Sequence, residues 1–344
     1  MSDGAEGPTF SVVPGTEVQR ALDDCADTLV SIVEETYRRH GAGGTVNPAS
    51  YFLRFPDRPR SRIIALPASL SGAGGTDGIK WISSFPGNLE SGLPRASAVL
   101  VLNDQRTGYP YACLEGSVIS AVRTAASAAL AADVLSRTRR RPARIGFVGT
   151  GLIARYVHDH LLATGWRFDE VGVHDVVEEY AASFGAHVSK TGPGAHITVH
   201  GTAEELIRGS DLVVFATNAG TPHVAEPEWF AHHPLVLHVS LRDLAPEVVG
   251  AAWNVVDDVD HCLKENTSLH RTEVRTGGRD FVAGTLCDVL SGELAVPESE
   301  TVVFSPFGLG VLDLAVGRFV YEQVSRAGRL RPIEGFFSEL SRHG

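Results

Sequence analysis

Apolar residues in the first part of the chain recur at helical spacing and then condense into short runs. From Glu17 to Tyr37, the residues Val18, Leu22, Cys25, Leu29 and Ile32 fall on one face of a helix. Segments 50–55 (SYFLRF), 62–68 (RIIALPA), 78–84 (GIKWISS) and 96–104 (ASAVLVLND) then read as strands, joined as hairpins of an α+β domain. Alanine-rich 115–135 predicts a long helix, because alanine carries the lowest helical cost. From residue 144 the pattern changes again. The apolar runs 144–149 (RIGFVG), 171–175 (VGVHD), 197–201 (ITVHG), 211–217 (DLVVFAT), 234–240 (PLVLHVS) and 254–258 (NVVDD) alternate with helix-compatible stretches, of which 152–163 is the clearest. A continuous apolar run bounded by turns suits a parallel strand covered on both faces. Repeated alternation with helices predicts an α/β fold with a doubly wound parallel sheet.

Length and charge narrow the class. A chain of 344 residues is long enough for about two domains with their own cores. Its net charge of −11 argues against wrapping nucleic acid or adsorbing to anionic lipid. No apolar run is expected to span a bilayer, and MSDGAEGPTFSVVPG lacks the basic start and apolar stretch of a signal peptide. Cys25, Cys113, Cys262 and Cys287 are far apart, which indicates neither a disulfide framework nor a zinc knuckle. A cytoplasmic protein is expected. The arginine run 137–144, broken by Pro142, reads as a solvated connector.

One turn carries cofactor chemistry. Gly149-Thr-Gly151-Leu-Ile-Ala154 follows an apolar strand, opens a helix, and has Asp175 at the end of the next strand. Gly149 permits the tight turn, Gly151 lets the backbone approach a pyrophosphate, and Ala154 allows close helix–sheet packing. The helix N-terminus adds amide donors and a positive dipole. Asp175 would bind the adenosine ribose, and the Val-Val-Glu-Glu after it offers no arginine for a 2′-phosphate, so NAD is expected rather than NADP.

Three cations stand in apolar surroundings: Arg54, Lys80 and Arg123. Lys80, between Ile79 and Trp81, is costly to bury without an anion. Together the three could hold a substrate with two or more carboxylates, although each alone could equally be a surface or salt-bridged side chain. Asp243 lies just past a strand at the carboxyl edge of the sheet, where it is either a proton relay or a helix N-cap. Among the histidines, His158/His160 and His232/His233 have the wrong spacing for a helical metal pair, and no metal site is expected.

These segments resemble the ornithine cyclodeaminase/mu-crystallin family over about residues 45–325. The resemblance is carried by GIKW (78–81), LNDQRTGYP (102–110), EGSVISAVRTAAS (115–127), the GTGLIA turn and VVFSPFGLGVLD (302–313). It implies a Rossmann NAD-binding domain (119–305) inserted in an α+β substrate-binding and dimerisation domain (1–118 plus 306–344), working as a homodimer on an amino-acid-derived substrate. It assigns Arg54, Lys80, Arg95 and Arg123 to substrate, Asp243 and Lys80 to catalysis, and Arg123, Thr124, Leu152, Thr217 and Ser240 to the cofactor beside Gly149, Gly151, Ala154 and Asp175.

Within the family, RIIALP, GIKWIS and PRASAVLVLND resemble the branch that oxidises N-(2-amino-2-carboxyethyl)-L-glutamate to form 2,3-diaminopropionate, a precursor of siderophores and peptide antibiotics. Cyclodeaminases carry an acidic residue where this chain has Ala65, and Gly-Gly-Asp where it has Leu241-Arg242-Asp243. Both departures weaken an ornithine-cyclising expectation. A non-catalytic, nucleotide-dependent binder of the mu-crystallin kind is the third alternative.

Overall fold

A computed structural model describes residues 8–192 and 194–337. The chain forms two compact units. One takes the described residues up to Ile32, then Ala42–Arg123, then the chain from Leu309. The other takes Val33–Gly41 and Thr124–Gly308. The passages between units therefore fall at Arg123/Thr124 and Gly308/Leu309, compared with the expected 118/119 and 305/306, and 33–41 joins the second unit.

The first unit is built on an eight-stranded, mostly antiparallel sheet. Its order is Arg331–Pro332, Ser11–Val13, Pro110–Glu115, Ala96–Asn103, Thr76–Ser84, Arg62–Leu70 and Thr45–Val46, with Tyr51–Arg54 also paired to Arg62–Leu70. Pairing Leu66 with Lys80 and Lys80 with Leu100 puts these three on one face. The helix Gly310–Arg326 covers that face, and a side chain on Gly317 would sit 2.0 Å from Leu100, so glycine is what lets it approach. The opposite face stays open across the row Tyr51, Ala65, Trp81 and Val99, where Tyr51, Trp81 and Val99 are exposed.

The second unit holds an eight-stranded parallel sheet. Its order is His196–Val199, Glu170–His174, Arg144–Val148, Leu212–Phe215, Leu235–His238, Val302–Ser305, Trp253–Val256 and Val282–Thr285. The central strands are buried at every residue from Leu212 to Phe215 and from Leu235 to His238, as their unbroken apolar runs require. The order reverses beside Arg144–Val148, with Glu170–His174 on one side and Leu212–Phe215 on the other. That reversal makes the crevice where ligands of such sheets bind.

Two expectations need correction. The helix expected over 17–37 is two, Gly15–Leu22 and Ala26–Gly41, because Asp23 leaves the helix extended and Asp24 turns left-handed at φ 57°. Among the described residues one helix, Ser117–Leu135, is long and apolar enough by length and composition to cross a membrane. It is mostly buried and carries Arg123, and its alanines pack in the core. The strand Val282–Thr285 had no legible signal, since its Gly284 interrupts the apolar run.

Candidate active site

The residues expected at the site fall into three groups of side chains, each within a single unit. The first is the glycine turn of the second unit. Gly149 ends the strand Arg144–Val148 at φ +83°, and a Cβ there would lie 2.8 Å from the Ala216 carbonyl oxygen. Gly151 is the N-cap of the helix Leu152–Ala163, and the space beside it is open. The amides of that first turn have no acceptor within the helix, which makes the opening a fitting cradle for a pyrophosphate. Ala154 is fully buried, whereas Leu152 at the helix start is exposed. Asp175 follows the strand Glu170–His174; its Oδ2 accepts from the Thr150 amide at 2.9 Å and the Thr150 hydroxyl at 2.8 Å. The acid expected for a ribose is thus locked to the turn expected for the phosphates. These residues fit a dinucleotide.

The turn yields a contrast between its glycines. Gly149→Ala should destabilise the fold by about 1–3 kcal/mol, because it combines a left-handed backbone with a clash against backbone. Gly151→Val should leave the melting temperature nearly unchanged and weaken NAD binding by about tenfold or more, because its side chain fills only the cradle. Calorimetric titration and thermal melts of both variants check this.

The second group surrounds Asp243. The strands Leu212–Phe215 and Leu235–His238 run in register, Phe215 opposite His238, so the residues just beyond them emerge together. Thr217 donates to Oδ1 and Ser240 to Oδ2, both in short hydrogen bonds. His223 Nε2 lies 3.0 Å from Oδ1, and His238 Nε2 lies 3.2 Å from Oδ2. His238 Nδ1 is 3.1 Å from Ser305 Oγ, at the end of the neighbouring strand Val302–Ser305. Backbone bonds from the His223 and Val224 amides to the Asp243 carbonyl hold this loop in place. Burial alone would push the Asp243 carboxyl up, but the hydrogen bonds of His223 and His238, the His238 charge and Ser240 outweigh it and hold it far below the usual carboxylate range.

The N-cap alternative for Asp243 falls, because the next helix starts at Pro246 with Ala245 as its cap. Leu241 sits at φ +74°, a left-handed position that suits glycine, and this is where the family pattern has one.

The third group lies in the first unit. Lys80 and Asp313, 3% and 0% exposed, pair at 2.6 Å, and Lys80 also donates to Ser120 Oγ at 3.1 Å. Arg123 Nε reaches the other Asp313 oxygen at 3.2 Å. Asp313 stands in the first turn of the helix Gly310–Arg326, where the dipole favours an anion. Lys80 is therefore buried with the anion its surroundings demand, and the trio keeps one net positive charge for a ligand.

Arg54 is not in this trio. It is exposed, opposite Arg62, which is opposite Ser84, whose hydroxyl accepts from Arg95 at 2.7 Å. Burial and the nearby Arg62 charge push the Arg95 guanidinium down from its usual value. Ser84 is four residues from Lys80 along one strand, so the arginine cluster shares the face of Lys80 at a spacing of about 13 Å.

Burial pushes Lys80 down to about 8, with Asp313 opposing and Arg123 adding to the shift. An unfolded lysine titrates near ~10.4. Between these values the unfolded chain binds more protons, so this group's contribution to stability rises with pH across that window. The cation itself is lost over the same window. The KM for a carboxylate substrate should therefore rise by up to about tenfold per pH unit above 8, and Lys80→Arg should remove the rise. Initial rates from pH 7 to 10 decide it.

Four participants went unrecognised in the sequence: Asp313, His238, His223 and Arg62. Asp313 and His238 did have a signal, a lone polar residue inside an apolar run, which is the same reason Lys80 stood out. His223 and Arg62 had none. Spacing along one helix also missed a meeting between two. His158 and Asp159 approach His187 of the helix Glu178–Thr191, with Asp159 Oδ1 2.7 Å from His187 Nε2 and 3.2 Å from His158 Nδ1. Thr124 follows Arg123 on the helix Ser117–Leu135.

A parallel sheet with this glycine turn, and a buried acid beyond its central strands, defines a dinucleotide-binding protein of the doubly wound class. The chain belongs to the ornithine cyclodeaminase/mu-crystallin family, whose model matches residues 11–328. It is 27% identical over 319 residues to the N-((2S)-2-amino-2-carboxyethyl)-L-glutamate dehydrogenase of Staphylococcus aureus, covering 90% of this chain and 94% of that one. It is 30% identical to the alanine dehydrogenase of Archaeoglobus fulgidus over 86% of this chain and 90% of that one. The solved dimer of an archaeal alanine dehydrogenase with bound NAD superposes with a TM-score of 0.85 at 26% identity, over 95% of this chain and all of that one.

Proposed function

We propose that this protein is an NAD-dependent oxidoreductase acting on a CH–NH group, and that it cleaves N-(2-amino-2-carboxyethyl)-L-glutamate to 2-oxoglutarate and L-2,3-diaminopropionate. The substrate is a secondary amine joining the α-carbon of glutamate to the β-carbon of diaminopropionate. NAD+ held at the Gly149–Gly151 turn beside Asp175 would supply the oxidant for hydride removal from the glutamate α-carbon. Loss of the nitrogen proton leaves an imine, water adds to its carbon, and the C–N bond breaks as nitrogen takes a proton. The balance is substrate, NAD+ and water to 2-oxoglutarate, diaminopropionate, NADH and one proton.

Lys80 and Arg123 hold one carboxylate with Asp313 as their fixed counter-charge, and Arg54, Arg62 and Arg95 receive carboxylate further along the same face. Thr217 and Ser240 hold Asp243 at the carboxyl edge of the parallel sheet, where protons must be handled. The observation that carries the choice of substrate is this second cationic station. A short monocarboxylate such as alanine or proline gives it nothing to bind, whereas a tricarboxylate does. The Staphylococcus aureus relative supports the same reading. The exposed row Tyr51, Trp81 and Val99 supports a homodimer, because an open apolar sheet face is commonly covered by a second copy.

The test is absorbance at the NADH band with N-(2-amino-2-carboxyethyl)-L-glutamate, L-alanine and L-ornithine in parallel, with products identified by mass spectrometry. A rise confined to the first, with 2-oxoglutarate and diaminopropionate formed, supports the proposal. A rise with alanine alone, or proline and ammonia from ornithine without net NADH, overturns the substrate. NAD binding without turnover of any of them points to a binder of the mu-crystallin kind.

A further inference from the structure

Asp243 accepts from two hydroxyls and faces two imidazoles, and its own amide donates towards His238 Nε2 at 3.2 Å. Thr217 and His223 address one carboxylate oxygen, and Ser240 and His238 address the other. A carboxylate whose lone pairs are occupied in this way favours its ionised form and has no room for a proton of its own. The oxidative cleavage nevertheless releases one proton from nitrogen and must deliver another to the departing amine. Some group at this edge has to change protonation state, and it needs a path to water. His238 is fully buried and bonded on both ring nitrogens, so it has no such path. His223 has one, because its side chain is 39% exposed while its Nε2 is fixed 3.0 Å from Asp243. Histidine is also the side chain whose charge ordinarily changes near neutral pH.

We propose that His223 carries the proton of the reaction and that Asp243 is its positioning residue, an anion that orients the imidazole and stabilises its charged form. This rests on the oxidoreductase reading above. Neutral His223 takes the proton shed at the substrate nitrogen or at the attacking water. As imidazolium it is held by Asp243, and it returns the proton to the departing amine or passes it to solvent, so charge balances at each step. The arrangement has the logic of an acid–histidine pair in which the acid never becomes protonated. The titratable groups joined to His223 are Asp243 directly and His238 through it; Thr217, Ser240 and Ser305 complete the network without titrating. The neighbouring Arg242 turns its guanidinium to the Glu265 carbonyl.

The proposal separates two pH effects. His223 should govern kcat, whereas Lys80 should govern KM above 8. The experiment is the pH profile of kcat and KM for the intact enzyme, for His223→Ala and for His223→Gln, with NADH formation as the readout. The expected result is a fall in kcat of about 10²–10⁴-fold in both variants, little change in either KM, and a pH profile of kcat that no longer follows the parent's. Added imidazole should restore part of the turnover of His223→Ala in a saturable way. His223→Gln keeps a donor towards Asp243, so it guards against a merely structural loss, and its melting temperature should match the parent. Wild-type kcat and pH profile in His223→Gln would overturn the proposal while leaving the oxidoreductase reading intact. Absence of NAD-linked turnover in the parent enzyme with all three substrates would overturn that reading, and the carrier role with it.

Discussion

Asp313→Ala should destabilise the protein by about 3–5 kcal/mol, the largest stability effect of any single substitution considered for this chain. Removing this carboxylate leaves Lys80 and Arg123 facing each other in a site where Lys80 is 3% exposed, without the one carboxylate that pairs with both among the described residues and in a low local dielectric. Burial would raise the Asp313 carboxyl, yet the Arg123 and Lys80 charges prevail and hold it below its usual value. The acid therefore stays ionised as a constituent of the fold at neutral pH. Urea unfolding of Asp313→Ala, Lys80→Met and the double variant measures the effect. The double variant should recover part of the loss, because it leaves one cation, Arg123, without the carboxylate instead of two. A loss below about 1 kcal/mol in Asp313→Ala would mean that water reaches the trio and that the pair is a surface interaction.

Asp243→Asn should lower kcat by about 10²–10⁴-fold and leave NAD affinity within about twofold. A carboxamide offers one acceptor oxygen and one NH₂ group, so whichever side the NH₂ takes, it meets hydroxyl and imidazole donors that were paired to a carboxylate oxygen. His223 loses both its orientation and the anion that stabilises its charged form. The glycine turn and Asp175 are untouched, so dinucleotide affinity is the internal control. Turnover at the wild-type rate with an unaltered pH profile would remove Asp243 from the chemistry. Because the acid is held so far below its ordinary range, the profile of the parent enzyme should show no limb attributable to it above pH 5.

The alternation of apolar runs with helical segments was enough to predict the parallel sheet, because a strand covered on both faces must be apolar throughout and its connections must be helices. The helix Leu152–Ala163 has the bounds its pattern predicts, starting at a glycine N-cap. The helix expected over 17–37 failed on a different kind of information. Its apolar spacing runs on through 23–25, but spacing reports burial and not backbone angle, and Asp24 at φ 57° interrupts what the pattern leaves continuous. Leu241 shows the converse. A residue that dislikes φ +74° is held there by its surroundings, among them the bond from the Ser268 amide to its carbonyl.

Local order along the chain thus determined the glycine turn, the acid at the next strand end, and the lone cations that could not be buried alone, since each depends on neighbours within one strand–turn–helix unit or on the cost of desolvation. Partnership was decided only by tertiary structure. Asp313 reaches Lys80 across 233 residues and Arg123 across 190, while His223 and Asp243 meet across 20. The sequence marks a buried charge as needing a partner, but only the folded chain selects one. Electrostatic pairing acts over a few ångströms in space, and sheet register and helix packing, not position along the chain, set which groups come that close.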